Sequence, residues 1–229
     1  MRNAVSAVVV AVILAGCATY SLIEPRRTAI GDLYAVEPQI PWSAAREGRA
    51  ELWTVDGPLL ESLRFMKSLR DGDPLFEGRD QDKRPRFQKT MTASDIMEFV
   101  ADSVSMQGGQ KLTTHNLRPV QFGNAPGFRF ELSFVSQEGL EKEALVVGAV
   151  IKDQLHLIMY AGARAHYYPK YKEHVERLIE SIKMQWQRAQ PQRGPTQQVS
   201  MIWGIRLAMR YGTGETLAAI DRSRSRSVC

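Results

Sequence analysis

Between residues 128 and 134, Phe128, Phe130, Leu132 and Phe134 alternate with Arg129, Glu131 and Ser133. Successive side chains of a strand point to opposite faces, so this alternation predicts a half-buried strand with its phenyl rings inward. Residues 144–151 and 155–161 are nearly continuous apolar runs about a turn at Lys152, Asp153 and Gln154. Such runs predict central strands covered on both faces. Residues 50–55 alternate as well, and Asp56-Gly57-Pro58 predicts a turn. The stretch 59–69 fits either period, but the preceding turn favours a strand through Leu63 and Phe65. Tyr34-Ala-Val-Glu predicts the first strand, Pro41-Trp42 closes a turn, and 112–122 reads as a strand interrupted at Pro119.

Two stretches follow the helical period instead. Ile96, Phe99, Val100 and Val104 form one apolar stripe; Thr92 and Asp95 suggest a capping box before it, and Gly108-Gly109 ends it. Pro169 opens a long helix with Tyr171, Val175, Leu178, Ile179 and Ile182 as its stripe, extended by Trp186. Residues 70–89 are charged and rich in turn formers, which predicts a solvated loop. The predicted core comprises Leu52, Phe65, Phe99, Val104, Phe130 and Leu132, together with Val147, Ile151, Leu157, Val175, Leu178 and Ile182.

Consecutive hairpins with segregated helices predict an α+β fold around a mainly antiparallel sheet. Central strands apolar on both faces call for cover on both. The expected architecture is a three-layer α/β/α sandwich closed by a long C-terminal helix. This order resembles the PsbP-like/Mog-type fold. The resemblance is carried by Asn124-Ala-Pro-Gly-Phe-Arg-Phe, by the strand pair through Gly148 and Tyr160, and by the closing Leu178-Ile-Glu-Ser-Ile-Lys. It covers residues 31–187 and implies a protein-binding or scaffolding module without a shared catalytic site.

The N-terminus adds an address. Arg2 precedes an apolar run over 4–14 broken only by Ser6, too short to span a bilayer, which takes about 20 residues. Leu14-Ala15-Gly16-Cys17 then resembles the lipobox of bacterial lipoproteins. That resemblance implies cleavage before Cys17, a diacylglycerol on its thiol and a further acyl chain, such as palmitate, on the new amino terminus. Two or more chains anchor a protein stably where one does not. Ala18, where an Asp would favour inner-membrane retention, implies the outer membrane and its periplasmic face. The expected organisation is a signal peptide over 1–16, a tether over 17–30, the α+β domain over 31–187, and a linker and basic, mostly disordered tail over 188–229.

Composition changes the picture in two places. With Cys17 committed to lipid, Cys229 is the one remaining cysteine, which excludes a disulfide framework and a multi-thiolate zinc site. The formal net charge of +5 sits in the tail: residues 188–229 hold seven Arg against two acids, whereas 17–187 hold 22 basic and 23 acidic residues. A domain of this balance offers phosphates no attraction, so nucleic acid is excluded as its partner. The tail, with Arg206 and Arg210 beside Ile202, Ile205 and Met209, suits either an anionic membrane surface or an unselected extension.

Candidate chemistry is sparse. No Gly-x-Ser-x-Gly elbow exists, and Gly212-Thr-Gly214 lacks the strand a phosphate cradle needs. His115, His156, His166 and His174 have no ligand-spaced partners, and Asp71, Asp73, Asp80 and Asp82 lack the run of oxygen ligands of a calcium loop. The chain is therefore expected to bind no metal and no cofactor. Tyr160, His166, Tyr167 and Tyr168 form either a contact surface or packing against the sheet edge, the latter favoured. The function these residues support is a membrane-anchored, non-catalytic periplasmic module with a protein partner. The alternatives are an enzyme in which Asp71 or Asp73 meets His115 or His156 only after folding, and a carrier of a small apolar ligand between sheet and helix.

Overall fold

A computed structural model describes residues 20–78 and 83–185. The chain divides into two units, residues 1–189 and 190–229, and every described residue lies in the first. The lipobox, the linker and the basic tail lie outside the described residues.

Eight strands form one sheet: β1 (Ser21–Ile23), β4 (Trp42–Glu47), β5 (Ala50–Thr54), β6 (Glu61–Leu69), β10 (Gln154–Ala163), β9 (Glu141–Ile151), β8 (Ala125–Val135) and β7 (Gln110–Phe122), in that spatial order. Every pairing is antiparallel. A small sheet joins β2 (Thr28–Ile30), β3 (Tyr34–Val36) and β11 (Lys183–Met184). Among the described residues the helices are α1 (Ala93–Met106) and α2 (Tyr167–Glu180). The chain is thus α+β, with the antiparallel sheet as its centre.

Alternation along the central strands divides the core between the two faces of the sheet. On β9, Leu145, Val147 and Ala149 join the cluster that holds Tyr171, Val175 and Leu178 of α2 and Tyr34 of the small sheet. Ala144 and Val146 join the cluster that holds Ile96, Phe99, Val100 and Val104 of α1. The α1 stripe and, on α2, Tyr171, Val175 and Leu178 are therefore buried helix faces, with Ile179 partly buried against them; Trp186 lies outside the described residues. All twelve predicted core residues are buried, Phe65, Phe130, Leu132, Val175 and Leu178 completely. The capping box is complete: Thr92 Oγ1 accepts from Asp95 N at 3.3 Å, and Asp95 Oδ2 accepts from Thr92 N at 2.8 Å.

Several expectations are corrected. The tether over 17–30 contains strands: Ser21 pairs with Ala44 and Thr28 with Val36, and Ile30 is buried. Three-residue strands are too short to show a period, and β1 finds its partner more than twenty positions away. Trp42 begins β4 and is buried against Trp53 and Tyr171, so Pro41-Trp42 does not close a turn. β7 runs through Pro119, which pairs with Phe128; an edge strand tolerates a missing N–H on its open side. The final helix has 14 residues, as many as α1, and stops at Glu180, because Ile182 packs into the core as the chain turns back into β11. The loop over 70–89 is not wholly solvated: Leu75 and Phe87 are buried beneath α1.

Candidate functional site

The sequence-derived site residues are not brought together. Cys17 lies outside the described residues, as do Asp80 and Asp82. Asp73 accepts from Arg49 at 2.6 Å and from the N–H of Arg70 at 2.9 Å; the Arg49 contact foremost holds its carboxyl below the usual range. Asp71 accepts the N–H of Lys89. His115 is exposed beside Glu131, and His156 is buried against Ser68. No Asp71 or Asp73 pair with His115 or His156 forms. Among the described residues no three His, Cys, Asp or Glu side chains are grouped to hold a metal. The tyrosine cluster is packing: Tyr160 and Tyr168 are buried and stacked at 5.4 Å, and Tyr160 Oη donates to the carbonyl of Tyr167 at 2.7 Å.

A cleft of about 510 Å³ opens on the α1 face of the sheet. Its position follows from an asymmetry in cover. α1 lies over β7, β8 and the middle of the sheet, and beyond its C-terminal end the face is roofed by the loop over 74–78 and the β8–β9 turn. Gln137 of that turn donates to the carbonyl of Gln107 at 2.9 Å, tying the turn to the helix end. The floor is apolar where Met66, Met159, Leu69 and Phe134 face inward. It is shallow along the row Ser62–Ala161, where small side chains pair in register across β6 and β10.

Two cations enter across that shallow row. Arg64 belongs to the same face as Met66, and its Nη1 donates to Ser62 Oγ at 2.5 Å while its Nε donates to Glu47 at 2.7 Å. Lys142 enters from the other side on β9, in phase with Ala144 and Val146, and is 8% exposed. Burial foremost, and then the like charge of Arg64, holds its ammonium below the usual lysine range. The other cations of the lining have carboxylates within 4 Å: Arg49 has Asp73 and Glu77, Arg64 has Glu47, and Lys67 has Glu51. Among the described residues Lys142 has no hydrogen-bond or ion-pair partner. The carboxylates that act on it, Glu138 and Glu61, do so only at longer range.

Sequence reasoning missed both cations. Arg64 sits between Leu63 and Phe65, so it reads as the solvated face of a half-buried strand. Lys142 falls just before the apolar run that begins at Ala144. The legible signal is parity: Lys142 is two residues before Ala144, so a strand started that early turns its ammonium to the same face as Ala144 and Val146.

The carrier expectation is corrected in kind. The space between sheet and helices is filled by the two clusters, and the cleft is open with charged groups in its floor, not a dry apolar cavity. Among the described residues no helix is long and apolar enough to cross a membrane.

No family model matches the chain, and no curated protein matches it. Among solved structures, cyanobacterial PsbP from Synechocystis aligns over 74% of this chain and 95% of its own, with a TM-score of 0.48 and 14% identity. The Ran-binding protein Mog1p of Saccharomyces cerevisiae aligns over 74% and 97%, with a TM-score of 0.42 and 11% identity. LpqN of Mycobacterium tuberculosis, involved in cell envelope biogenesis, aligns over 74% and 86%, with a TM-score of 0.34 and 8% identity.

Proposed function

We propose that this chain is a lipid-anchored binding module of the cell envelope, held at the periplasmic face of the outer membrane through acylated Cys17, whose cleft on the α1 face takes the ligand. The cleft is the observation that carries this reading. It is walled by the sheet, the end of α1 and two loops, and its volume falls within the roughly 300–1,000 Å³ typical of small-molecule sites. The acids and bases weighed for catalysis are engaged elsewhere, Asp73 with Arg49 and His156 with Ser68. The lipobox at Leu14 to Cys17 supports the anchor.

Two measurements test this. The intact mass of membrane-extracted protein is expected to show a polypeptide beginning at Cys17 plus acyl mass, and Cys17→Ser is expected to remove that mass. Native mass spectrometry is expected to show a small-molecule adduct that Met159→Trp, which fills the cleft, displaces. Turnover on a panel of hydrolase substrates, abolished by a single substitution of His156 or Asp73, overturns the binding reading.

A further inference from the structure

The charges in the floor of the cleft narrow the class of ligand it takes. We infer that the cleft binds a single-chain anionic amphiphile, a fatty carboxylate or an alkyl phosphate monoester, with its oxyanion on Lys142 and Arg64 and its aliphatic chain along Met66 and Met159. This inference rests on the proposal that the cleft is the binding site.

A lysine whose stem is buried and whose ammonium opens on a cleft without a counter-ion is partly desolvated, and an anion seated in the cleft supplies the charge it lacks. Lys142 is 8% exposed, faces the cleft, and has no partner among the described residues. Arg64 is satisfied by Glu47 on one side yet is turned along the floor by Ser62, so its charge adds to that of Lys142 over the shallow row. The oxyanion placed over Ala161 and Ser62 supplies the missing counter-charge. It is met by a three-donor ammonium and a planar guanidinium, a pair suited to carboxylate and phosphate alike.

The rest of the cleft specifies the tail. Met66 and Met159 are flexible and polarisable, which suits an aliphatic chain of varied bend. The volume is in the lower half of the small-molecule range. At the rim Leu59 is 61% exposed, a large apolar side chain left in water. Leu22, 68% exposed, lies on the same face at the same end of the sheet, on the register row Leu22–Ser43–Thr54 that leads into the turn carrying Leu59. An apolar rim of this kind suits a ligand drawn from a membrane surface.

Calorimetric titration of residues 17–229 carrying Cys17→Ser tests the inference, with dodecanoate, dodecyl phosphate, dodecanol and inorganic phosphate as separate probes below their micellar concentrations. Dodecanoate and dodecyl phosphate are expected to bind with micromolar constants, dodecanol at least about tenfold more weakly, and inorganic phosphate not to saturate. The ratio of the first two distinguishes a fatty acid from a phosphorylated lipid as the source. Lys142→Met is expected to weaken both anions at least about tenfold, to leave dodecanol unchanged, and to raise the unfolding midpoint of the ligand-free protein; Lys142→Arg is expected to restore anion binding. Equal affinity for dodecanoate and dodecanol overturns the anionic assignment and leaves the cleft a binding site. No binding of any amphiphile overturns the inference, while the adduct displaced by Met159→Trp decides separately whether the cleft is a binding site.

Discussion

Ser68 donates its backbone N–H to Nδ1 of His156, 3.3 Å away. The bond arises from a bulge: Leu155 pairs with Leu69 but Leu157 pairs with Met66, so Lys67 and Ser68 both stand opposite His156. Ser68 takes a left-handed φ of 56°, and its N–H is directed at a side chain in place of a carbonyl. Because Nδ1 accepts, the proton of the neutral ring is fixed on Nε2.

That arrangement gives the protein an acid-sensitive element. Burial lowers the pKa of His156 to about 4, against 6.5 for a free histidine. Between those values the unfolded chain takes a proton that the folded ring refuses, so stability is lost as pH falls from 6.5 towards 4, by about 3 kcal/mol over the window. His156→Asn keeps an acceptor for Ser68 and removes the titration. Urea unfolding at several pH values is expected to show the wild type losing stability relative to His156→Asn across that window; parallel profiles overturn the assignment.

Phe130 is fully buried, stacks on Phe128 at a centroid distance of 6.2 Å and belongs to the cluster under α1. Phe130→Ala removes a whole ring from a packed interior and is expected to cost about 3–5 kcal/mol in equilibrium unfolding. A loss under 1 kcal/mol, well below that range, contradicts its place at the centre of the core.

Phe130 also shows which parts of the fold the sequence makes legible. Its alternation with Arg129 and Glu131 is local, so the strand, its period and its inward face follow from a short window. The stripes of α1 and α2 are local in the same way. β1 and β11 are not: each is two or three residues long and defined by a partner elsewhere, Lys183 finding Ala35 across the whole domain, and β2, though it pairs with the adjacent β3, is too short to show a period. The cleft is less legible still. It exists because α1 stops short of one end of the sheet, and no property of Arg64 or Lys142 taken alone encodes where a helix on another segment ends.

The C-terminal boundary can be tested through β11. Ile182 is 5% exposed, Lys183 and Met184 pair with β3, and the N–H of Gln185 donates to the carbonyl of Leu33 at 2.7 Å. A chain ended after Gln187 keeps all of these and is expected to unfold at the wild-type urea midpoint. A chain ended after Glu180 loses a buried isoleucine and the edge of the small sheet, at a cost of about 3 kcal/mol. Equal midpoints for the two truncations contradict a structural role for β11.

Glu61 is fully buried at the start of β6, where its Oε1 accepts from Thr54 Oγ1 at 2.6 Å, the N–H of Val55 at 2.5 Å and the N–H of Asp56 at 3.0 Å. One oxygen thus organises the turn between β5 and β6, which Asp56 in turn ties to α2 through Lys170 at 2.7 Å and Tyr171 at 2.5 Å. Its Oε2 is buried with no partner among the described residues. Burial raises the carboxyl above its ordinary 4.5, and the three donors only partly offset this. The contribution of Glu61 to stability is therefore complete below about pH 4.5 and declines as pH rises through the raised value. Glu61→Gln keeps the Oε1 acceptor and cannot ionise, so its stability relative to wild type is expected to rise between pH 5 and pH 8. Glu61→Leu takes the acceptor from the N–H groups of Val55 and Asp56, while Thr54 Oγ1 keeps the main-chain carbonyl of residue 61, and it is expected to be about 2 kcal/mol less stable than Glu61→Gln at either pH. Urea unfolding of the three proteins at the two pH values reads both effects: a leucine variant as stable as the glutamine variant removes the turn-organising role, and a Gln-to-Glu difference that does not change with pH removes the buried titration.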